Sequence, residues 1–183
     1  VDGSDGRKIA AYKFGDFKQF GIRKISGRTA LSKEIKDKLI IKYVESFMSD
    51  KWDKRYLALA EQVAGWSKDP STQVGAVAVN DQGNVVAQGY NGFPRGIEDT
   101  ELRYNDRELK YKYVVHAETN CIYNAAFNGN SLDGCTMYVW PLPVCHECAK
   151  AIIQSGVCRV VSPQFTNSET ELRWKDSCSQ TLD

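Results

Sequence analysis

Residues 136–162, TMYVWPLPVCHECAKAIIQSGVCRVVS, decide the fold. The run TMYVW at 136–140 is short, apolar, and rich in aromatic and β-branched side chains, which predicts a strand. Residues 145–155 then predict a helix that stops at Gly156, because glycine readily ends a helix. CRVVS at 158–162 predicts a second strand. Upstream, QVGAVAV at 73–79 and NVVAQGY at 84–90 flank the turn sequence Asn80-Asp81-Gln82-Gly83 and predict a hairpin. Residues 52–66 predict a helix with Leu57, Ala60, Val63 and Ala64 on one face. Lys68-Asp69-Pro70-Ser71 halts it, since the residue before proline avoids helical angles. Residues 116–128 also read as a helix, whereas 91–111 read as a long polar loop, a kind that is often functional. Strands alternating with helices after an opening hairpin predict an α/β fold with a mixed central sheet.

The 183 residues suffice for one domain with a sizeable core, and a formal net charge of +1 gives no global attraction to nucleic acid or anionic membrane. The charge is uneven: residues 1–51 hold 12 Lys/Arg against 7 Asp/Glu, and residues 52–183 hold 12 against 16. We therefore divide the chain into a basic arm, 1–51, and a main domain, 52–183. Within the arm, residues 1–30 read as loop or short strands. Residues 31–48 read as an amphipathic helix, with Leu31, Ile35, Leu39, Tyr43 and Phe47 at steps of four. Its apolar face needs a partner: its own core, the 52–66 helix or a second subunit. No apolar run approaches a bilayer span and no charged-then-apolar leader opens the chain, so a cytoplasmic setting is expected. The opening Val-Asp-Gly-Ser-Asp-Gly lacks a methionine and reads as a cut site or an added remnant.

In a reducing compartment, six cysteines suggest metal binding or burial rather than disulfides. His116-Ala117-Glu118 and Cys145-His146-Glu147-Cys148 stand out. Catalytic zinc takes three protein ligands of thiolate and imidazole type and leaves one position open. His116, Cys145 and Cys148 supply that set. At 100° per residue, positions three apart on a helix lie about 60° apart, so the two cysteines share a face. By the same count His116 and Glu118 diverge by about 200° and can converge only at a helix mouth. There the macrodipole favours thiolates and a carboxylate. A lone C-x-x-C is a weak signal, and His146, Cys158 or Cys121 could complete a structural zinc instead. That arrangement points His146 away from the cysteine face and leaves Glu118 without a role. With H-x-E about 30 residues upstream and a strand expected before each helix, a catalytic zinc is the better reading. Cys121, Cys135, Cys158 and Cys178 read as small buried hydrophobes.

H-x-E followed by P-C-x-x-C is the signature of zinc-dependent nucleobase deaminases. From residue 52 to about 162 the chain resembles the deoxycytidylate deaminases of the cytidine deaminase superfamily. The matching pieces are SKDPSTQVGA at 67–76, GYNGFP at 89–94, HAETN at 116–120, GCTMYV at 134–139 and CHECAK at 145–150. The resemblance implies a three-layer α/β/α fold with a mixed sheet, and hydrolysis of dCMP to dUMP and ammonia, with Glu118 as acid/base beside the zinc. It also implies that Val74 floors the base pocket and that Asn91 bonds the substrate. Backbone groups of Ala117, Pro143 and Val144 would hold the cytosine edge. A nucleotide-binding loop from 91 to 96 follows, with Arg95 set to meet a phosphate or to remain a solvated charge. The Asn91-Gly92 pair equally suits a turn. A hexamer regulated by dCTP and dTTP is implied as well. The sequence departs from the pattern in one extra residue between Pro143 and Cys145, in a loop that shapes the amine end of the pocket, and in an arm without counterpart. Two rivals remain: a deaminase of polymeric nucleic acid, which the basic arm favours, and a nucleotide-sensing zinc module, which an intact Glu118 disfavours. The acidic balance of residues 52–183 speaks against a stable nucleic-acid partner.

Overall fold

In the computed structural model the described residues are 9–13 and 50–163. The 31–48 helix with Leu31, Ile35, Leu39, Tyr43 and Phe47, and Cys178, lie outside them. Ten elements follow in order: β1 (Ile9–Lys13), α1 (Asp50–Ala64), β2 (Gly75–Val79), β3 (Val85–Tyr90), α2 (Glu101–Asn105), α3 (Arg107–Tyr113), α4 (Ala117–Phe127), β4 (Thr136–Trp140), α5 (His146–Gln154) and β5 (Arg159–Pro163). The strands form one sheet in the order β1-β5-β4-β2-β3. β4 and β5 run parallel, and the other neighbours are antiparallel, so the sheet is mixed as expected.

Alternation along the strands divides the core into two. Val77, Val79, Tyr138 and Val161 meet Leu57, Ala60 and Val63 of α1 on one face. Ala76, Ala78, Met137, Val139 and Val160 meet α4 and α5 on the other. Successive strand residues point to opposite faces, so β2 is buried along its whole length, as a strand covered on both sides must be. This is the three-layer α/β/α arrangement. A buried ion pair fastens α1 to the sheet: Asp53 receives both guanidinium nitrogens of Arg159 and the Tyr138 hydroxyl at 2.8 Å. Removing one partner of such a pair typically costs about 3–5 kcal/mol.

Two glycines set the helix depth. A Cβ at Gly75 would meet Ala60 O at 2.1 Å, and one at Gly89 would meet Cys121 N at 2.3 Å and Ala117 O at 2.6 Å. The helices lie directly on strand backbone there. On α4 the small residues Ala117, Cys121 and Ala125 form the buried stripe that permits this approach.

The region 91–111 differs from the expected loop. It contains α2 and α3, whose starts are capped by Thr100, accepting from Arg103 N, and by Asp106, accepting from Leu109 N. The strand expected before the 116–128 helix is only a single bridge between Gly92 and Val115. Among the described residues no helix is long and apolar enough to cross a membrane.

The Gly89 contact can be checked by substitution. Gly89→Ala forces α4 off β3 and is expected to cost roughly 1–3 kcal/mol in urea unfolding, as overpacking usually does. Gly92→Ala, whose Cβ would meet only the Tyr90 ring at 3.8 Å, is expected to stay within about 0.5 kcal/mol of the parent. Equal stability of the two variants would show that α4 is not held by this close approach.

Candidate active site

Helices α4 and α5 begin at residues of unusual type. His116 is the N-cap of α4 (φ −68°, ψ 154°) and Cys145 is the N-cap of α5 (φ −79°, ψ 159°), and neither side chain caps its own helix. Ser, Thr, Asp or Asn normally fill such positions to satisfy the first backbone N–H groups. Here ring and thiol turn toward each other instead. His116 Nδ1 lies 3.5 Å from Cys145 Sγ and 3.3 Å from Cys148 Sγ. The extended backbone at His116 resolves the angular conflict with Glu118, since position 116 is not yet helical.

The donor set fits zinc. Tetrahedral bonds of about 2.3 Å to sulfur and 2.0–2.1 Å to nitrogen place the S and N donors about 3.5 Å apart, close to the separations here. All three ligand atoms lie within 4.8 Å of one another, and among the described residues they are the only group of three or more that could hold a metal. The other candidate ligands stay out of it. His146 Nε2 pairs with Glu147 at 3.0 Å, and Glu147 also holds Lys150 at 2.7 Å. Cys121 and Cys135 are buried, and Cys158 is half-buried with its thiol donating to Gly134 O.

The three donor side chains are coupled to one another electrostatically. The hydrogen bond from Cys148 holds the Cys145 thiol below its ordinary value, toward the thiolate form that ligates metals. The hydrogen bond with Cys145, together with burial, pushes Cys148 up. The hydrogen bond with Cys145 holds the His116 ring above its ordinary value against the opposing effect of burial. Glu118 is 4% exposed, and burial pushes its carboxyl up while the His116 charge pulls it back.

Above this group opens a cavity of about 210 Å³ lined by His116, Ala117, Glu118 and Cys145 at one end. Val74, Asn91 and Pro143 also line it. Asn91 acts as a brace. Its Oδ1 accepts from Val74 N at 2.7 Å, and its Nδ2 donates to Thr72 O at 2.9 Å and Asp69 Oδ2 at 3.2 Å. Three of its four hydrogen-bonding positions are thus used within the wall. Two residues named from the sequence are not among the lining residues. Val144 points into the core with 5% exposure and is not among the lining residues, whereas Leu142 is. Arg95 is not at the cavity: its guanidinium donates to Asn124 Oδ1 and lies 4.8 Å over the Phe127 ring, on the outer face of α4.

Sequence reasoning missed the wall supplied by α2 and α3. Tyr104, Arg107, Lys110 and Tyr111 all line the cavity. Lys110 Nζ reaches the buried Asp69 carboxylate at 2.8 Å, and Asp69 also accepts from Ser71 N and Thr72 N. Phe93 stacks on Tyr104 at 4.3 Å and anchors α2 to the 91–96 loop. The cap residues Thr100 and Asp106 were the readable signal for these helices.

The chain is similar to known proteins. Residues 50–163 match the model of the cytidine and deoxycytidylate deaminase zinc-binding region. The chain is 40% identical over 136 residues to an uncharacterized deaminase in the luxG 3' region of Aliivibrio fischeri, covering 74% of this chain and 88% of that one. It is 44% identical over 115 residues to human deoxycytidylate deaminase, covering 60% of this chain and 63%, less than two thirds, of the human one. The crystal structure of dCMP deaminase from the cyanophage S-TIM5 in complex with dCMP and dUMP aligns with a TM-score of 0.50 at 29% identity. It covers 58% of this chain and 76% of that one. With more than half its length matching that family model, the chain belongs to the cytidine and deoxycytidylate deaminase zinc-binding family.

Proposed function

We propose that this protein hydrolyses a free cytosine nucleotide, dCMP, to dUMP and ammonia, with zinc held by His116, Cys145 and Cys148. One observation carries the proposal: a buried carboxylate, Glu118, lines the same cavity as His116 and Cys145. Its relatives named as deoxycytidylate deaminases support the choice of dCMP.

Zinc, when bound, supplies the acidification of water that yields a nucleophile near pH 7. Glu118 takes one proton from the attacking water and delivers it to N3 of cytosine, then takes the second from the hydroxyl added at C4 and gives it to the amine leaving C4. The balance is water in, C4 carbonyl and ammonia out. Burial keeps bulk water from the carboxylate during these transfers, and His116 and Cys145 orient the site from two rigid helix starts. The braced segment 69–74 holds Val74 against the base. The acidic balance of residues 52–183 disfavours a polymeric substrate.

A reducing, cytoplasmic setting belongs to this reading, because it keeps both thiols available to the metal. So do a basic arm over 1–51 with a deaminase domain after it, a hexamer, and control by dCTP and dTTP, which rest on the family resemblance and the apolar stripe of residues 31–48. Light scattering tests the assembly: a species of 20.6 kDa at micromolar concentration would end the oligomer claim.

Metal analysis of the purified protein is expected to give about one zinc per chain, and the Cys145→Ala/Cys148→Ala double variant is expected to lose it. Full zinc in that variant would remove the ligand assignment. Glu118→Gln keeps size but cannot carry protons, so zinc and fold should persist while turnover falls by about 10²–10⁴-fold or more. Activity within tenfold of the parent would take Glu118 out of the mechanism. The substrate assignment is tested by ammonia release from dCMP, CMP, dCTP, deoxycytidine and a single-stranded oligonucleotide. dCMP is expected to be fastest, and faster turnover of the oligonucleotide would contradict the proposal.

A further inference from the structure

Among the described residues β3 is an edge strand, so one row of its backbone groups faces no other strand. Three asparagines fill acceptors of that row. Asn120 Nδ2 donates to Tyr90 O at 2.8 Å, Asn124 Nδ2 to Gln88 O at 2.8 Å, and Asn130 Nδ2 to Val86 O at 2.7 Å. Alternate residues of a strand turn their backbone groups to the same side, which is why the three carbonyls belong to positions 86, 88 and 90. Four helical residues rise about 6 Å and two strand residues about 6.7 Å. Asn120 and Asn124, one turn apart on α4, therefore match adjacent carbonyls of the row. Asn130 is exposed and lies beyond the end of α4 at Phe127.

These polar bonds supply what the apolar contact lacks. The close approach at Gly89 fixes the depth of α4 on the sheet, but the stripe of Ala117, Cys121 and Ala125 consists of small side chains. Small side chains make no ridges to lock into grooves, so such a face offers weak resistance to sliding along the helix axis. A hydrogen bond does resist sliding, because it weakens steeply once bent below about 120°. Asn124 is held in its donating orientation by Arg95, whose guanidinium donates to Asn124 Oδ1 while lying 4.8 Å over the Phe127 ring. With Oδ1 taken, Nδ2 turns to the strand. Asn120 follows Glu118 by two residues, and its acceptor Tyr90 directly precedes Asn91 in the cavity wall.

On the reading that the site deaminates a cytosine nucleotide, we infer that Asn120 and Asn124 are positioning residues that set the axial register of α4 on β3 and thereby the placement of His116 and Glu118. Those two side chains stand at the start of α4, whereas Cys145 and Cys148 stand at the start of α5. A displacement of α4 along its axis therefore moves the imidazole and the carboxylate relative to both thiols. It leaves the 69–74 segment and α3, which supply the opposite wall of the cavity, in place. Loss of register lowers turnover while substrate binding persists. Asn130 covers the strand edge without acting on the helix.

Asn124→Asp keeps the size of the side chain and its pairing with Arg95, but a carboxylate cannot donate to Gln88 O. The test compares the parent, Asn124→Asp, Asn124→Ala and Asn130→Ala as zinc-loaded proteins. Three quantities are measured: kcat and KM for dCMP, calorimetric binding of dUMP, and the rate at which a chelator removes zinc. kcat is referred to the number of dUMP-binding sites, so that unfolded protein does not count as slow enzyme. A misplacement of about 1 Å costs roughly 100-fold, so kcat is expected to fall about 10- to 100-fold in both Asn124 variants. KM and dUMP binding should stay within about threefold of the parent, since the lost interaction acts on turnover. Zinc should leave the Asn124 variants about 10-fold faster, as when the support of a metal ligand is removed. Asn130→Ala removes the same kind of bond from the same strand edge and should match the parent in all three measurements. Where Asn124→Asp does not fold, Asn124→Ala decides. If the Asn124 variants keep the parent kcat, if their loss falls in KM and dUMP binding, or if Asn130→Ala loses as much, the inference falls and the proposed reaction stands. If the parent neither turns over dCMP nor binds dUMP, the proposed reaction falls and the inference with it.

Discussion

His116 Nδ1 sits 3.3 Å from Cys148 Sγ and 3.5 Å from Cys145 Sγ, and this three-way contact constrains everything around it. It requires two helices, α4 and α5, to start side by side on one face of the sheet. It requires each start to forgo an ordinary cap so that its side chain is free to turn inward. It also requires α4 to lie close enough to the strands for Glu118 to be buried behind the ring. Gly89 and the small stripe of Ala117, Cys121 and Ala125 meet that last condition. The macrodipoles of both helices bring positive potential to the point where thiolate and carboxylate charge gathers.

The cavity divides its labour between a rigid floor and a wall of different construction. The floor consists of helix starts packed on the sheet. The wall consists of segment 69–74 and helices α2 and α3, and it is held by two polar contacts, the Asp69–Lys110 pair and the Asn91 brace, and by the Phe93–Tyr104 ring stack. A buried pair of this kind adds little net stability compared with apolar packing. It does fix where α3 stands, and hence where Arg107 and Tyr111 face the cavity.

Much of this was legible in the residues. Leu57, Ala60, Val63 and Ala64 at helical spacing are the buried face of α1. The apolar strands 75–79 and 136–140 and the hairpin turn could be read because strands buried on both faces leave a strong local signature. The angular argument required His116 to stand at a helix mouth, and it does. The polar wall was less legible. α2 and α3 have five and seven residues, too short for periodicity to register. Only their caps, Thr100 and Asp106, announced them. For Arg95 the sequence left a phosphate contact and a solvated loop charge both open. Its guanidinium lies at Asn124 and Phe127 on the exposed face of α4. Val144 lies beside a ligand in sequence yet faces the core, because the loop from 141 to 144 turns Leu142 and Pro143 to the cavity instead.

The central claim is that this zinc site is an open, three-ligand site and not a closed structural one. X-ray absorption at the zinc edge of the purified protein tests it most directly. The account expects two sulfur scatterers at about 2.3 Å, one imidazole nitrogen at about 2.0–2.1 Å, and one further light atom that exchanges when substrate or product is added. A shell of four protein ligands, with three sulfurs or two imidazoles and no response to dUMP, would contradict it.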